Sequence, residues 1–577
     1  SVSVLEGGGG TKSAKCGGNV TIPYVELHCH SGFSFLDGAS HPEELVLRAV
    51  QLGYPALALT DHNGLYGSMQ FARAAHEFGI QPITGAEVTL RECFPGIEEP
   101  KDGHHVTLLV ENPVGYANLC RLLTEAHMGS ERTNPRLRLE SLLELPQGLI
   151  LLTGCRKSPV AAALDSSVAE AEELTKQLIT AFGPGNVFME LQDNTIKGDT
   201  ARNKGLARLA GRLGLGVVAT GNVHYHRPER HRLQDVLVSI RNHTTLDGAH
   251  TARRANSLFH LLPPWEVSHR FQSRPEALTN TLLIAERCTA FNLTEDLGYE
   301  FPDFEDSGHG GALRRLTAIC QAKISELYEP GSNEEQNAEE RLCTELSLVD
   351  LHGLAGFFLV YRDIMNLAAQ VSREVRGDSP RARSGLPPGR GRGSSVSSII
   401  CYLIGLSHVD PVKNNLFLGR FLNAALRSVP DIDLDFPRDI REELILKVYE
   451  KYGYEHTGLV CTFPTYRLKS AVREIGKALD LPLGELEKLS KLAEHRSASR
   501  LTEEIATLPE FKNREEQKNN LEESFNRTLS REVMARKRDP HAIRDIPTVV
   551  MKDLRPWYSY MGFPLDEDGF PILDEMR

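Results

Sequence analysis

Short apolar runs alternate with amphipathic stretches through the first half of the chain. Stretches such as HPEELVLRAVQLG and GSMQFARAAHEFG place their apolar residues at helical spacing, and Gly or polar residues separate them from the apolar runs. A strand followed by a helix, repeated, predicts parallel strands joined by crossover helices. Seven such units without a Gly-x-Gly-x-x-Gly fingerprint favour a barrel over a dinucleotide-binding sheet. The predicted strands cover residues 24–28, 56–60, 82–88, 105–110, 149–153, 187–191 and 216–220.

The second half of the chain has a different pattern. An acidic, helical stretch near residues 310–350 precedes an Arg-, Gly- and Pro-rich loop. VSSIICYLIGL then predicts a buried helix, SVPDIDLDF a strand, and REELILKVYEKYG an amphipathic helix that ends at Gly453. The predicted organisation is a disordered tail (1–22), an α/β barrel (23–290), an α+β domain (291–463) with a Gly/Arg loop (385–395), a helical region (464–535) and an atypical tail (536–577).

Composition narrows the class of protein. The chain has 577 residues, of which 41% are hydrophobic and 25% are charged, as in ordinary globular proteins. The net charge of −12 means that nucleic-acid binding would require locally concentrated basic groups. Ten cysteines without a C-x-x-C pair argue against a disulfide scaffold and a zinc ribbon. Without a long apolar run or a signal-like start, we expect a cytoplasmic protein with no membrane span. Because the sequence does not begin with Met, we also expect an incomplete N-terminus.

Side chains that bind metal ions occur where the predicted barrel strands end. Functional groups collect at the loops after parallel barrel strands, so these side chains are expected to meet. A mixed His, carboxylate and thiol set suits zinc, manganese or iron, and clustered ions can generate hydroxide and hold a phosphate ester. One such His alone is usually an ordinary hydrogen-bonded group, but a set in step with the strand repeat favours a metal site. The candidates are His28, His30, Asp37, Asp61, His62, Glu87, His105, Cys155, Asn222 and His224.

A second set of acids lies in the sequence PDIDLDF. Strand alternation places Asp431, Asp433 and Asp435 on one face, where bare carboxylates are costly unless a cation such as Mg²⁺ lies among them. The alternative is an exposed edge strand with solvated acids. Upstream, GRGSS precedes an apolar helix, whose N-terminus favours anions, and Arg392 and Ser394 supply donors. A triphosphate cradle is therefore one interpretation of this segment, and a flexible Arg/Gly linker is the other.

Three basic residues, Arg467, Lys469 and Arg473, follow on a predicted helix. Their spacing lets them share part of a face, where they could neutralise phosphates of a template or primer. An ordinary solvated basic face explains the same pattern equally well.

The first half of the chain resembles a known family. ELHCHSGFSFLDGASHPEELV, ALTDHNGLYG, GAEV and LTGC are similar to the polymerase-and-histidinol-phosphatase (PHP) domain of bacterial C-family DNA polymerases. The resemblance implies a distorted seven-stranded barrel, a multinuclear Zn²⁺ or Mn²⁺ site and, where that site is intact, 3′–5′ exonuclease activity. Asn222 stands where fully metallated members have Asp, which implies a weakened subsite. The implied ligands are His28, His30, Asp37, His62, Glu87, His105, Cys155 and His224.

FFLVYRDIM, GRGSSVSSIICYLIGLSHVDP, GRFLN, PDIDLDF and TYRLKSAVREIGKALDL resemble the palm and the start of the thumb of the same polymerases. The resemblance implies an α+β nucleotidyltransferase-like palm with Mg²⁺, in which Asp431 and Asp433 are two of three catalytic carboxylates. Arg392, Gly393 and Ser394 would hold the phosphates of the incoming nucleotide. VYEKYG is closer to the error-prone translesion branch. The implied partners are primer–template DNA, deoxynucleotides and polymerase partners of the DNA-damage response.

The sequence departs from that family in its last part. LGRF has Gly where the family usually has Glu, and Asp539, Asp545 and Asp553 have no recognisable strand context. We therefore expect a truncated polymerase chain without the third catalytic Asp or the fingers. Three hypotheses stay open: a DNA polymerase, a metal-dependent phosphoesterase or exonuclease that uses the first domain alone, and a non-catalytic DNA-binding remnant.

Overall fold

The computed structural model describes the chain in two compact units, the first from residues 22–297 with 465–493 and the second from residues 311–463. The predicted N-terminal tail up to residue 21, most of the helical region and the whole atypical tail, including Asp539, Asp545 and Asp553, lie outside the described residues. The described residues are 22–91, 100, 103–131, 133–297, 311–377, 379, 388–426, 429–454, 456–460, 462–463 and 465–493.

The first unit is built on one curled sheet. Its strands follow chain order: β1 (Ala56–Leu59), β2 (Gln81–Leu90), β3 (His104–Val110), β4 (Leu149–Leu152), β5 (Val187–Gln192) and β6 (Gly216–Thr220). The segment before β1 connects both edges of this sheet, since Glu26 bridges to Leu57 of β1 and Cys29 bridges to Val223 just after β6, both in parallel. This closure confirms the predicted barrel, although residues 24–28 contribute single bridges rather than a regular strand.

One strand runs against the predicted direction. β3 is antiparallel to both of its neighbours, with Glu87 opposite Thr107 and Leu109 opposite Ile150. The prediction of uniformly parallel strands is therefore wrong for β3. The reversal places the start of β3, with His105, at the same end of the barrel as the end of β2.

Helices surround this sheet. Several begin at side-chain caps: the amide of Gly115 donates to Asn112 and that of Glu170 donates to Ser167, which satisfies otherwise unpaired N–H groups. They are α1 (Pro42–Gln51), α2 (Ser68–Glu77), α3 (Pro113–Met128), α4 (Leu139–Glu144), α5 (Pro159–Ser166), α6 (Val168–Phe182), α7 (Asp199–Leu213), α8 (His231–Arg241), α9 (Pro264–Arg270) and α10 (Glu276–Arg287), with 3-10 turns at Pro228–Arg230 and Cys288–Ala290.

The barrel interior changes from apolar to polar along its axis. Because side chains alternate along a strand, Glu87 shares the face of Ile83 and Glu190 shares the face of Phe188. Both carboxylates thus lie one layer nearer the strand ends than an apolar plug. The plug consists of Val25, Leu27, Ala56, Ala58, Ile83, Leu109, Ile150, Leu152, Phe188 and Val218, with Ile284, Ala285 and Cys288 packed against them.

A late part of the chain packs on this unit. α16 (Leu468–Ala478) and α17 (Leu483–Leu492) follow residue 464, and Ala471, Ile475 and Ala478 of α16 bury against Val236 of α8. The amide of Leu246 donates to the backbone oxygen of Ala478 at 2.8 Å. The first part of the predicted helical region therefore belongs structurally with the barrel.

The second unit is mostly helical. Its core joins α11 (Gly311–Leu327), α12 (Asn333–Leu351), α13 (Ala355–Arg376) and the short α14 (Ile399–Leu403). α15 (Arg438–Tyr452) packs on α13 and ends, as predicted, at Gly453, whose φ is +79°. In the part of this unit that the structure describes, the only sheet pairs β7 (Arg390–Arg392) with β8 (Asp433–Asp435).

Among the described residues, no single helix is both long and apolar enough to cross a membrane. α12 and α13 meet the test of length and composition only as a pair, and the chain bends by 112° between them. Both helices contribute buried side chains to the core of the second unit.

Candidate functional site

Glu87 lies at the centre of a buried cluster of imidazoles in the barrel. Its Oε2 is 2.7 Å from Nδ1 of His62 and 3.7 Å from Nε2 of His30. Its Oε1 is 3.3 Å from Nε2 of His28 and 3.2 Å from Nδ1 of His105. The antiparallel direction of β3 is what brings His105 into this set, because its side chain stands at the end of β2. One carboxylate therefore holds four of the predicted ligands together.

Three overlapping groups in this cluster have the spacing that a metal ion requires. They are His28, His30 and Glu87; His62, Glu87 and His105; and His30, His62 and His224. In the first group, Nε2 of His28, Nε2 of His30 and Oε1 of Glu87 are buried without a hydrogen-bond partner. Unpartnered buried polar atoms are costly, and a shared cation would satisfy them. The residues present thus fit a metal centre.

The second ring nitrogens of these histidines are held by other side chains. Nδ1 of His28 lies 2.6 Å from Oε1 of Glu190, and Nδ1 of His30 lies 3.3 Å from Oγ of Ser34. Such partners orient a ligand ring and direct its other nitrogen toward a metal. Burial and the neighbouring imidazoles also hold the pKa of His30 well below its usual value, which keeps that ring neutral.

Carboxylates shift the pKa values of two of the other rings, those of His28 and His62, upward. Although burial alone would lower the pKa of His28, Glu190 and Glu87 raise it to about 10. Burial opposes the charged form of His62 as well, but Glu87 is the main influence that raises its pKa to about 9. Burial opposes the charged form of Glu87, yet His105, His62 and His28 hold its pKa well below its usual value. A metal ion that bound here would displace protons from these rings.

Two carboxylates support the cluster from outside it, and one of them, Glu190, was not assigned a role from sequence. Glu190 holds His28 and accepts from Gly154 N–H at 3.1 Å. Asp61 was a candidate ligand, but it accepts from the amide and hydroxyl of Ser31 and from the hydroxyl of Ser34, which positions the loop. The signal for Glu190 was a single acid within the otherwise apolar run VFMEL.

Asp37 and His224 stand at one side of the cluster, beside arginines. Oδ2 of Asp37 is 3.4 Å from Nε2 of His62 and 3.6 Å from Nε2 of His224. The guanidinium of Arg254 donates to Nε2 of His224 and lies 3.5 Å from Asp37. Arg241 approaches Asp37 to 3.3 Å. No local pattern in the sequence indicates these arginines, which arrive from α8 and from the loop after it.

The last two barrel candidates are less closely held. Sγ of Cys155 lies 3.9 Å from Nδ1 of His105, and burial raises the pKa of its thiol well above the usual value. Asn222 takes a positive φ of 49°, and its side-chain Oδ1 is buried without a hydrogen-bond partner. All eight implied ligands and Asn222 are therefore in one region of the barrel, but they differ in how far their metal-binding atoms are already engaged.

The acidic strand of the second unit has the predicted alternation. Asp431, Asp433 and Asp435 are exposed, while Ile432 between them is buried. β8 pairs antiparallel with β7, so that Arg392 stands opposite Asp433. Nε of Arg392 lies 3.3 Å from Asp435 and 3.9 Å from Asp433. The Arg/Gly segment and the acids, about forty residues apart in sequence, are thus neighbours in space.

The predicted anion site at the N-terminus of the helix after GRGSS is already occupied by a side chain. The carboxylate of Glu345, from α12, accepts from the amides of Ile399 and Ile400 and from the hydroxyl of Ser398. The N-terminus of α14 therefore already has its anion, and this part of the cradle prediction is wrong. Arg392, Gly393 and Ser394 precede that helix in a strand end and a 3-10 turn and are exposed.

A tyrosine beside the acids was not assigned from sequence. Burial, and then Asp431, raise the pKa of Tyr361 above its usual value. Tyr361 lies on α13 within FFLVYRDIM, and its ring is 4.9 Å from that of Phe357. A neutral hydroxyl is therefore maintained next to the carboxylates.

The three basic residues near the end of the described chain are all exposed. Arg467, Lys469 and Arg473 point away from the side of α16 that packs on the barrel. Their binding to nucleic acid stays a prediction.

Comparison with known protein families finds two matched segments. Residues 26–194 match the PHP domain, and residues 314–544 match the bacterial DNA polymerase III alpha NTPase domain. The first segment contains seven of the eight implied barrel ligands, and the second contains both β7 and β8.

Curated relatives are similar to most of this chain and are longer than it. The error-prone DNA polymerase of Symbiobacterium thermophilum is 36% identical over 510 residues, which cover 85% of this chain and 44% of the relative. The DNA polymerase III subunit alpha of Aquifex aeolicus is 31% identical over 487 residues, which cover 81% of this chain and 41% of the relative. This chain thus spans less than half the length of these relatives. A solved structure of an amidohydrolase from Chromobacterium violaceum matches 35% of this chain and 88% of its own, at 18% identity and a TM-score of 0.26.

Proposed function

Because this chain belongs to the bacterial C-family DNA polymerases, we propose that it forms part of an error-prone DNA polymerase that adds deoxynucleotides to a DNA primer. The observation that carries this proposal is the pairing of β7 with β8, which places Arg392 against Asp433 and Asp435. Phosphate-binding and metal-binding groups are thereby combined at one sheet edge. The proposed partners are primer–template DNA, deoxynucleotides and other polymerases of the DNA-damage response, in the cytoplasm.

Each group of the acidic strand has a proposed role. Asp431 and Asp433 would hold Mg²⁺, whose chemistry is to offset the negative charge that develops on phosphate oxygens during transfer. Arg392 would bind the phosphates of the incoming nucleotide together with the exposed backbone at Gly393 and the hydroxyl of Ser394. Gly393 suits this role, because a Cβ there meets nothing within 4 Å and its φ is +73°. The backbone at this turn is therefore open to a ligand.

Primer extension by the full chain tests this proposal. With Mg²⁺ we expect extension that Asp433→Asn lowers by roughly 100-fold or more, as for loss of a group that stabilises a transition state. Asp439→Asn is the matched control, since Asp439 is an acid of the same unit that pairs with Arg376 at 2.8 Å. Absence of Mg²⁺-dependent extension by the unaltered chain would remove polymerisation as an activity of this polypeptide.

The buried cluster favours a second function, hydrolysis of phosphodiester bonds at the 3′ end of DNA. Its specific support is the convergence of unpartnered ring nitrogens of His28 and His30 on Glu87. Bound Zn²⁺ or Mn²⁺ supplies a hydroxide nucleophile and polarises a phosphoryl oxygen. Glu87 and the imidazoles would hold the ions, and Glu190 would orient His28.

Metal content and 3′-end degradation test this second function together. The full chain should bind Mn²⁺ or Zn²⁺ and shorten single-stranded DNA from its 3′ end, and His28→Ala should lower the metal content and abolish the shortening. His76→Ala is the control, because His76 is an exposed residue on α2 of the same barrel. Degradation that survives His28→Ala would come from another source and would refute the assignment.

A further inference from the structure

His224 differs from the other cluster imidazoles in what its ring nitrogens already bind. Its Nδ1 lies 2.8 Å from the backbone oxygen of Asn222, to which it donates, so the lone pair of the ring is on Nε2. That lone pair accepts a hydrogen bond from the guanidinium of Arg254. Nε2 of His28 and Nε2 of His30, in contrast, have no hydrogen-bond partner. A lone pair that accepts from a guanidinium is not available to a metal ion at the same time.

Arg254 is held at this position from several sides. Its Nη2 lies 3.5 Å from both carboxylate oxygens of Asp37. The guanidinium carbon also stands 4.6 Å from the ring centre of Phe259, within the range of a cation–π interaction. The side chain is only 20% exposed. These contacts fix the guanidinium before any ligand arrives.

The charge of Asp37 is already compensated. Arg241 lies 3.3 Å from its Oδ2, and the amide of Gln234 donates to its Oδ1 at 2.9 Å. With Arg254 this makes two guanidinium groups on one carboxylate. A divalent ion beside Asp37 would have to displace or repel both positive charges.

The three metal-sized groups of the cluster therefore separate into two kinds. Two of them contain Glu87, whose charge favours a cation. The third, formed by His30, His62 and His224, contains imidazoles only. The carboxylate beside it, Asp37, is already paired with Arg241 and Arg254. The guanidinium of Arg254 therefore contacts the one of these three groups that contains no carboxylate.

We propose that Arg254 takes the place of one metal ion in the barrel, so that the centre binds about two ions around Glu87 and His224 is not a metal ligand. His224 then acts as a positioning residue, which accepts from Arg254 and directs its guanidinium. This inference rests on the proposed metal-dependent function of the barrel. It assigns to this chain a centre in which one positive charge belongs to the protein.

Counting Mn²⁺ per full chain, by native mass spectrometry and by elemental analysis, tests the proposal. The unaltered chain should bind about two ions, His28→Ala should lose at least one, and His224→Ala should keep the full number. Arg254→Gln should gain about one ion, because it frees His224 and removes one of the two guanidinium groups on Asp37. Arg253→Gln is the matched control: Arg253 is the preceding residue and pairs with Asp235 at 3.2 Å. Circular dichroism and the melting temperature establish that each variant is folded.

The outcomes distinguish the proposed role of Arg254 from the proposed metal-dependent function of the barrel. About three ions in the unaltered chain, loss of an ion in folded His224→Ala, or an unchanged count in folded Arg254→Gln would each overturn the role of Arg254 while leaving a metal-dependent barrel. If Arg254→Gln does not fold, the comparison of His224→Ala with His28→Ala decides. No bound ion in the unaltered chain would refute the metal-dependent hydrolysis itself, and this inference with it.

Discussion

The two groups of acidic side chains in this chain are constructed in opposite ways. In the barrel, Glu87 is 1% exposed and lies within 3.7 Å of four imidazoles. On β8, the side chains of Asp433 and Asp435 are 59% and 50% exposed and share one cation, Arg392. In the barrel, the surrounding side chains fix the position of Glu87 before a ligand binds. On β8, a three-residue pairing with β7 positions the acids, and solvent screens their charges.

This difference in burial predicts how binding, folding and chemistry at each site should respond to substitution. A buried charged group without its partners carries a large desolvation cost, so changes in the barrel should disturb both binding and folding. An exposed carboxylate carries little of that cost, so changes on β8 should affect chemistry and leave the fold intact. Substitutions at four residues, Glu87, Glu345, Asp433 and Arg392, test this contrast.

Substitution of the central carboxylate should have the largest effect. Glu87→Gln removes the charge common to two metal-sized groups, and we expect Mn²⁺ affinity to fall by roughly 100-fold or more. Titration calorimetry of the full chain measures this. Glu111→Gln is the control, since that carboxylate pairs with Arg287 at 2.8 Å on the same barrel. Unchanged affinity in Glu87→Gln would mean that the ions bind elsewhere.

The second test asks whether burial or location causes the sensitivity. Glu345 lies in the second unit, like the acidic strand, but it is fully buried and accepts from Ser398, Ile399 and Ile400. Glu345→Ala leaves those donors unpaired and should lower the free energy of unfolding by about 3 kcal/mol. Exposed Glu340 on the same helix provides the control, Glu340→Ala. Equal stability of the two variants in chemical denaturation would contradict the role of burial.

The same residue predicts a dependence on pH. Burial raises the pKa of Glu345 above its ordinary value of 4.5, despite hydrogen bonds that favour the charged form. A raised pKa in the folded state means that its stabilisation is complete below pH 4.5 and is lost as the pH rises through the folded value. Glu345→Gln cannot ionise. As the pH rises through this range, the melting temperature of Glu345→Gln should therefore increase relative to that of the unaltered chain. A constant difference across the pH series would show that Glu345 does not titrate there.

The smallest effect is expected on the acidic strand. Asp433→Asn should change the free energy of unfolding by no more than about 0.5 kcal/mol, because the side chain is mostly solvated. Arg392→Gln should be similarly mild, since an exposed ion pair contributes about 0–1 kcal/mol. Denaturant unfolding of both variants checks this. A loss above about 2 kcal/mol would show that the acids support the fold as well as the proposed chemistry.

Local sequence pattern predicted much of the barrel. Six of the seven predicted strands occur within one or two residues of their expected bounds, from Ala56–Leu59 to Gly216–Thr220. The helix end marked by Gly453 also occurs where expected. These features depend on alternation, helical periodicity and backbone preference, all of which act between near neighbours in the chain.

Contacts between distant segments were not predictable in this way. The reversed direction of β3 is seen only in its pairing with β2 and β4, and nothing in HHVTLLV marks direction. Glu345 accepts from the amides of Ile399 and Ile400, which lie more than fifty residues later in the chain. Its carboxylate thereby occupies the anion site that the local pattern had predicted. Arg254 enters the metal cluster from a loop with no motif of its own.

The sequence by itself determined the strand and helix pattern, the identity of the candidate ligands and the acidic alternation of residues 431–435, because these are properties of short stretches. Only the tertiary structure decided which ring nitrogens are available to a ligand: Nε2 of His28 and Nε2 of His30 have no hydrogen-bond partner, while Nε2 of His224 accepts from Arg254. The physical reason is that availability depends on every group within hydrogen-bonding distance, and in a closed barrel those groups come from all parts of the chain.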